Sequence, residues 1–334
     1  MNNNFSCLVI GGGIAGLIAA TVLTRHDAKV TVLDKGRGIG GRLATRRLTY
    51  SDAIEGVFDY GAQYFTASDP QFQVWIDEWL AAGIITEWSQ GFFQETGDFK
   101  ASQKSCYRGV KSNRSIAQFL ARSLSVHTLT QATQIHWQGG QWQVQTQNGE
   151  NFEADAVLLT PPVPQILSLL DHSGIGLNPE IREKLARVSY HPCITMLALL
   201  EKPSQIPAPG GLWGTGDRLG WIGCNYQKGI SPNGYAVTIQ ANPAFSRSHW
   251  DAENETIAKD LGQAASPWLD SPVLDYQIHR WRYSQVAVSY GEPYLALSHP
   301  GPLVLAGDGF VAGKIEGAVL SGLAAARSLL ETFH

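Results

Sequence analysis

The chain opens on an almost unbroken apolar run, FSCLVIGGGIAGLIAATVL, from Phe5 to Leu23, interrupted chiefly by glycines. Divided at those glycines, the pattern predicts a short buried strand over Phe5–Ile10 and a helix of small and branched apolar residues over Ile14–Arg25. A second buried strand follows over Lys29–Asp34. Near the other end, PLVLAGDGF predicts a strand over Leu303–Ala306 and a turn, followed by a long helix from about Glu316. Gly317, Ala318, Ser321, Gly322 and Ala325 give that helix a small-residue face for tight packing. In the middle, RGVKSNRSIAQFLARSL reads as a turn and a helix. The next segment predicts strands joined by hairpins at Gly139–Gly140 and Asn148–Gly149 and a return strand ending at VLLT. YQIHRWRYSQ alternates as a strand, with His279, Trp281 and Tyr283 on one face and Arg280 and Arg282 on the other.

Length and composition narrow the class. A chain of 334 residues is long enough for about two domains, and 44% hydrophobic with 16% charged residues is a globular composition. The net charge is −4 with no cationic stripe, so nucleic acid is not an expected partner. Cys7, Cys106, Cys193 and Cys224 stand far apart, forming neither a disulfide framework nor a metal site, and a reducing, cytoplasmic setting fits them. The opening run is preceded by no Lys or Arg, and its glycines break the helix a secretory leader would need. No window reaches the ~18 apolar residues of a spanning helix, so no membrane partner is expected. No internal repeat is visible, and the GTGDRLG segment, with no helix after it, reads as a turn in a Pro/Gly-rich loop.

The first chemical signal is the order strand, glycine loop, helix, strand. Gly11, Gly13 and Gly16 form G-x-G-x-x-G, with Ala15 in the opening turn of the helix and Asp34 at the end of the second strand. The glycines permit the tight turn, the approach of a pyrophosphate to the helix N-terminus, and close helix-on-strand packing, while the acid can accept hydrogen bonds from ribose hydroxyls. The loop is expected to cradle a dinucleotide. NAD and FAD share the ADP half, so the motif alone leaves the choice open.

The residues after Asp34 decide it. In DKGRGIGGRLATRR, Lys35 and a second glycine cluster precede Arg42, and this stretch resembles the flavin-containing amine oxidase superfamily, whose acid is followed at fixed distance by G-G-R, here Gly40, Gly41 and Arg42. The resemblance implies noncovalent FAD. It also implies that Asp308 faces the ribityl chain, that the helix start at Gly317 and Ala318 directs N–H groups to the flavin N1 and O2 edge, and that Ala132 touches the adenine. In FDYGAQYFTA it implies that Gly61 and Ala62 pass the flavin, with Gln63 and Tyr64 lining a substrate cavity.

The fold expected is α/β: a Rossmann-type FAD-binding domain over 1–60, 105–165 and 295–334, interleaved with a mixed-sheet α+β substrate domain over 61–104 and 166–294. HRWRY, LGWIGCNYQKG, SRSHW and DYGAQYFT further resemble the renalase branch of this superfamily. That implies an oxidoreductase acting on 2- and 6-dihydro isomers of NAD(P)H, with molecular oxygen as final acceptor and hydrogen peroxide as product. His279 and Trp281, with Tyr64 and Gln63, are the expected catalytic residues, and Arg280, Arg282 and Arg247 the candidate phosphate contacts. VSYHPCITMLALLE lacks the lysine that amine oxidases of the superfamily usually carry after the first covering helix, which turns the reading away from amines. Two alternatives stand beside it: an amine oxidase or NAD(P)H-using enzyme on another small substrate, and a flavin-binding redox sensor without turnover.

Overall fold

The computed structural model describes residues 5–311 and 313–333. The chain forms two compact units, one of Met1–Arg42, Ala117–Tyr190 and Val286–His334, the other of Leu43–Ile116 and His191–Gln285. These bounds differ from the expected ones: the first segment of the first unit ends at Arg42 rather than 60, and its middle one runs to Tyr190 rather than 165. The hairpin of Thr45–Ser51 and Ile54–Asp59 lies in the second unit because Leu48 and Phe58 are buried against Leu197, Leu199 and Ala236 of that unit.

The first unit is built on a six-stranded sheet. Its strands run in the order Leu295–Leu297, Leu303–Leu305, Ala156–Leu159, Ser6–Ile10, Lys29–Leu33 and Ser125–His127, all parallel except the first. The apolar opening strand serves two cores at once. Cys7 and Val9 face a cluster with Ala19, Leu23, Ala325 and Leu329, while Leu8 and Ile10 face one with Ile135, Trp142, Val144 and Ile166. A strand covered on both faces has no polar side to show, and this is why the segment reads as a continuous apolar run. One layer is formed by the helices Ile14–Arg25 and Lys314–Thr332, the latter starting two residues before the expected Glu316. The other contains the antiparallel sheet Ala132–Gln138, Gln141–Thr146 and Asn151–Ala154, whose two hairpins fall where the glycines predict.

The second unit centres on a seven-stranded mixed sheet in the order Val273–Val288, Ser189–Leu200, Tyr235–Ala241, Leu219–Cys224, Gly211–Trp213, Ile85–Gln94 and Phe99–Gly109. Alternation again divides the side chains. Met196, Ala198 and Leu200 join Ile257, Leu261 and Ala265 of the helix Asn254–Leu269, and Leu197 and Leu199 turn to the hairpin. Among the described residues no helix is long and apolar enough to cross a membrane.

Helix packing in the first unit depends on absent side chains. A Cβ added at Gly322 would overlap the Ala15 carbonyl oxygen, so the two long helices meet backbone to backbone. Gly322→Val is expected to cost about 1–3 kcal/mol through overpacking, read as a lower thermal midpoint. Gly262→Ala, where an added Cβ meets nothing within 4 Å, should hold or raise the midpoint. An unchanged midpoint for Gly322→Val would show that the helices separate without cost.

Candidate active site

In the first unit the glycine loop has a closed side and an open side. Gly11 has φ +111°, and a Cβ there would stand 2.5 Å from Thr160 Oγ1; one at Gly16 would overlap the Gly11 carbonyl oxygen. A Cβ at Gly13 would meet nothing within 4 Å. Gly13 also caps the helix Ile14–Arg25 without any side-chain hydrogen bond. The first-turn N–H groups, that of Ala15 among them, and the positive end of the helix dipole therefore address the open side, where an anionic pyrophosphate fits.

Asp34 is oriented by the backbone around it. Its Oδ2 accepts the Gly12 N–H at 2.6 Å and its Oδ1 the Gly36 N–H at 2.6 Å, and each oxygen keeps a lone pair for a further donor such as a ribose hydroxyl. The second glycine cluster lies on the first, since Gly40 N–H donates to the Gly12 carbonyl at 2.8 Å and Gly41 holds φ +53° beside Gly13. The segment leading into Ala132 is tied to the same loop, with Thr130 N–H donating to the Asp34 carbonyl and Leu129 N–H to the Gly36 carbonyl, each at 2.9 Å. Lys35 is exposed, and its Nζ donates to Gln165 Oε1 at 3.1 Å.

Arg42 and Asp308 bind each other. Nη1 and Nη2 of Arg42 donate to Oδ2 and Oδ1 of Asp308 at 2.5 and 2.6 Å, a two-point ion pair. Burial alone would disfavour the guanidinium cation, but the Asp308 carboxylate outweighs it and the Arg42 pKa lies above its ordinary value. Gly317 and Ala318 are buried near the start of the helix Lys314–Thr332, whose cap residue Gly313 likewise makes no side-chain hydrogen bond. Two long helices of this unit thus present uncapped N-termini.

The second unit holds the DYGAQYF loop by a buried polar network. Asp59 Oδ2 accepts from Lys228 Nζ at 2.7 Å with both side chains fully buried; Asp59 Oδ1 accepts from Thr45 Oγ1 at 2.7 Å and from the Asn113 N–H at 3.1 Å. Lys228 Nζ also donates to the Gln63 carbonyl at 2.7 Å. The carbonyls of Gly61 and Ala62 accept from Gln240 Nε2 and Asn113 Nδ2, each at 2.7 Å. Burial pulls the Lys228 pKa below its ordinary value and Asp59 opposes that pull. None of Asp59, Lys228, Asn113 or Gln240 was anticipated, because Lys228 lies 169 residues from Asp59 and carries no local motif.

The two residues expected to line a cavity have the following surroundings. Gln63 is buried, its Nε2 donating to the Asp59 carbonyl at 2.6 Å, so its side chain staples the loop to itself. Tyr64 lies among Phe92, Trp221, Trp88 and Trp213, at 4.9, 5.6, 6.4 and 6.4 Å between ring centroids. Burial, helped by Cys106, pushes its hydroxyl up to about 12. The loop residue that meets the aromatic strand is Tyr60. Its ring stacks on Trp281 at 5.1 Å and 25° and meets His279 edge-on at 4.9 Å, while Trp281 Nε1 donates to the Tyr60 carbonyl at 3.0 Å. His279 and Trp281 lie 4.4 Å apart, on one face as the alternation predicts. Burial first, then the Arg46 cation, lowers the His279 pKa to about 4, so its imidazole is neutral at pH 7.

The arginines expected to meet phosphates are engaged elsewhere. Arg280 clamps the strand to the segment before the helix Asn254–Leu269, donating to the Trp250 and Ala252 carbonyls at 2.9 and 2.6 Å and to Asn254 Oδ1 at 2.7 Å. Arg282 lies over the Trp250 ring at 5.5 Å, and Arg247 stands 3.5 Å from His191 Nδ1.

Removing either partner of the Asp59–Lys228 pair leaves a buried charge uncompensated, at a cost of about 3–5 kcal/mol. Asp59→Asn and Lys228→Met should each show this in denaturant melts, and the double variant should lose less than the two combined; full additivity would mean that the groups act independently. His279 contributes a pH dependence of known sign. Between about 4 and 6.5 the unfolded chain takes up a proton that the folded imidazole refuses, so stability rises with pH across that window and is flat above it. His279→Gln should flatten that rise, and an unaltered slope would place the proton uptake on another group.

Comparison with known proteins matches this geometry. Residues 9–79 fit an NAD(P)-binding Rossmann-like domain, and residues 89–330 fit the flavin containing amine oxidoreductase family. Renalase of Mus musculus is 30% identical over 96% of this chain and 98% of its own. A redesigned putrescine oxidase superposes with a TM-score of 0.72 at 13% identity, over 98% of this chain and 99% of that one. A CLA-producing fatty acid isomerase from P. acnes superposes at 0.70 and 12%, with the same coverage. These two share the fold. The protein is an FAD-dependent oxidoreductase, and its chain belongs to the flavin-containing amine oxidoreductase family as a renalase-like member.

Proposed function

We propose that the protein oxidises the 2- and 6-dihydro isomers of NAD(P)H. The dihydropyridine gives a hydride to flavin N5 and becomes the aromatic nicotinamide, and oxygen takes the two electrons with two protons to form hydrogen peroxide. The observation that carries this reading is the face of Tyr60, His279 and Trp281 beside a histidine kept neutral. FAD, when bound, supplies the hydride acceptor and the reductant of oxygen.

The residues around the loop suit that task. Trp281, backed by the stacked Tyr60 ring, is an aromatic side chain suited to meet a planar ring. The Trp281 N–H is held by the Tyr60 carbonyl, which fixes that surface in place. Loss of a hydride from carbon requires no base, and none of the titratable groups here is poised as one. His279 is neutral but half-buried among rings, Tyr64 keeps its proton, and Lys228 is committed to Asp59. The open side of the glycine loop, Asp34 and the uncapped helix starting after Gly313 are the features suited to hold FAD without a covalent bond.

Anaerobic rapid mixing of the yellow holoenzyme with each dihydro isomer should bleach the flavin far faster than β-NADPH or benzylamine does. Trp281→Ala should raise the concentration of isomer needed for half-maximal bleaching by about tenfold, the equivalent of ~1.4 kcal/mol of ring contact. Because His279 titrates near 4, the limiting rate should be level between pH 5.5 and 8. Bleaching by β-NADPH or by the amine in preference to the isomers would overturn the substrate assignment and leave the fold and cofactor untouched.

A further inference from the structure

Arg46 is the one charged side chain seen in contact with the aromatic face, and it has no anionic partner among the described residues. It sits in the strand Thr45–Ser51 opposite Phe58, next to Thr45, whose hydroxyl turns inward to Asp59. Alternation therefore sends the Arg46 side chain to the other face of the hairpin. There its guanidinium lies 4.9 Å from the Tyr60 ring centroid and donates through Nη1 to Gln277 Oε1 at 3.1 Å. The neighbouring Arg47 is paired with Glu55 at 2.6 Å, so a carboxylate is within reach of the hairpin and is used by the other arginine.

A half-buried guanidinium has lost part of its hydration and normally recovers it from a carboxylate or phosphate. Arg46 has one neutral amide and the face of a tyrosine instead, and most of its five N–H donors stay free. Its field also reaches His279, whose protonation it opposes. Arg46 thus brings a cation to the rings, and among the described residues its guanidinium meets one neutral amide and no anion. We infer that Arg46 is the anion-recognition residue of this site, holding a phosphate of a substrate whose flat ring lies beside the Tyr60–Trp281 stack. A nicotinamide nucleotide carries its ring and its first phosphate one ribose apart, so one molecule can use both features. The inference rests on the proposed substrate class and adds the group that selects nucleotide over nucleoside.

The test uses oxidised ligands and needs no turnover. The affinities of the holoenzyme for β-nicotinamide riboside, β-nicotinamide mononucleotide and β-NAD+ are measured by calorimetry, while labelled histidine is followed by NMR to report His279. The wild-type protein should bind the mononucleotide at least tenfold more tightly than the riboside, and the His279 pKa should rise when the phosphate arrives. Arg46→Gln should bring the two affinities together and raise the His279 pKa without ligand. Arg46→Lys should recover part of the preference. If the dinucleotide alone gains from Arg46, the pyrophosphate's second phosphate is the group recognised. An Arg46→Gln protein with an undiminished preference for the mononucleotide would overturn the inference, as would a wild type that binds none of the three. A wild type that shows the preference while no dihydro isomer bleaches the flavin would sink the proposed reaction and keep Arg46 as an anion site.

Discussion

The second unit is organised around the buried pair of Asp59 and Lys228. Removing two full charges from water is expensive, and an apolar pair of similar size often serves stability as well or better. The geometry indicates what the pair does beyond stability. Asp59 ends one strand of the hairpin and begins the loop that carries Tyr60 to Tyr64, and its carboxylate gathers donors from Thr45, Asn113 and Lys228. Lys228 reaches on to the Gln63 carbonyl, and Asn113 to that of Ala62. The last two bonds fix peptides of the loop directly, and the others anchor the carboxylate at its start. A set of apolar side chains would fill the same space without specifying which way the peptides face, and it is the direction of Tyr60 that aligns the aromatic surface.

The first unit solves a different problem by different means. It must leave backbone donors exposed on one side of a packed core, so it uses residues without side chains. Gly11 and Gly16 permit closure of the loop on its inner side, Gly13 leaves its outer side clear, and Gly322 lets the second helix approach the first. Arg42 and Asp308, which each face the same region of this unit, neutralise one another with two-point geometry. The ion pair thereby cancels the charge that either residue alone would place in that region.

These two solutions explain what the sequence discloses. The glycine loop, its helix and Asp34 are local, so their pattern and spacing carry the whole message, and the structure reproduces the strand, helix and hairpin positions within a residue or two. His279 and Trp281 share a face because strand alternation is also local. The network at Asp59 is only partly local: Thr45 lies opposite Asp59 in the hairpin, whereas Asn113, Lys228 and Gln240 come from distant segments that no periodicity announces. The contacts of the arginines in HRWR are hidden in the sequence for a related reason. Alternation correctly assigns them to the other face, but the Trp250–Asn254 segment that occupies Arg280 is unrecognisable until the sheet and helix are assembled. For Gln63 and Tyr64 the loop motif does not disclose the hydrogen bond from Gln63 Nε2 to the Asp59 carbonyl or the aromatic cluster around Tyr64.

The proton inventory of the site then bears on the chemistry it can host. His279 is neutral at pH 7, Tyr64 holds its proton up to about 12, and Lys228 is fixed by Asp59 and a carbonyl. A reaction that removes a proton from its substrate needs at least one group able to change state near the working pH, whereas one that removes a hydride needs a rigid surface and a constant field. The second unit provides rings locked by the Trp281 N–H bond and, beside them, the half-buried guanidinium of Arg46. A cation beside a ring that gains positive charge on oxidation would by itself retard the reaction. The geometry therefore suits a substrate that brings its own negative group to Arg46, so that the field at the ring is balanced when the hydride departs.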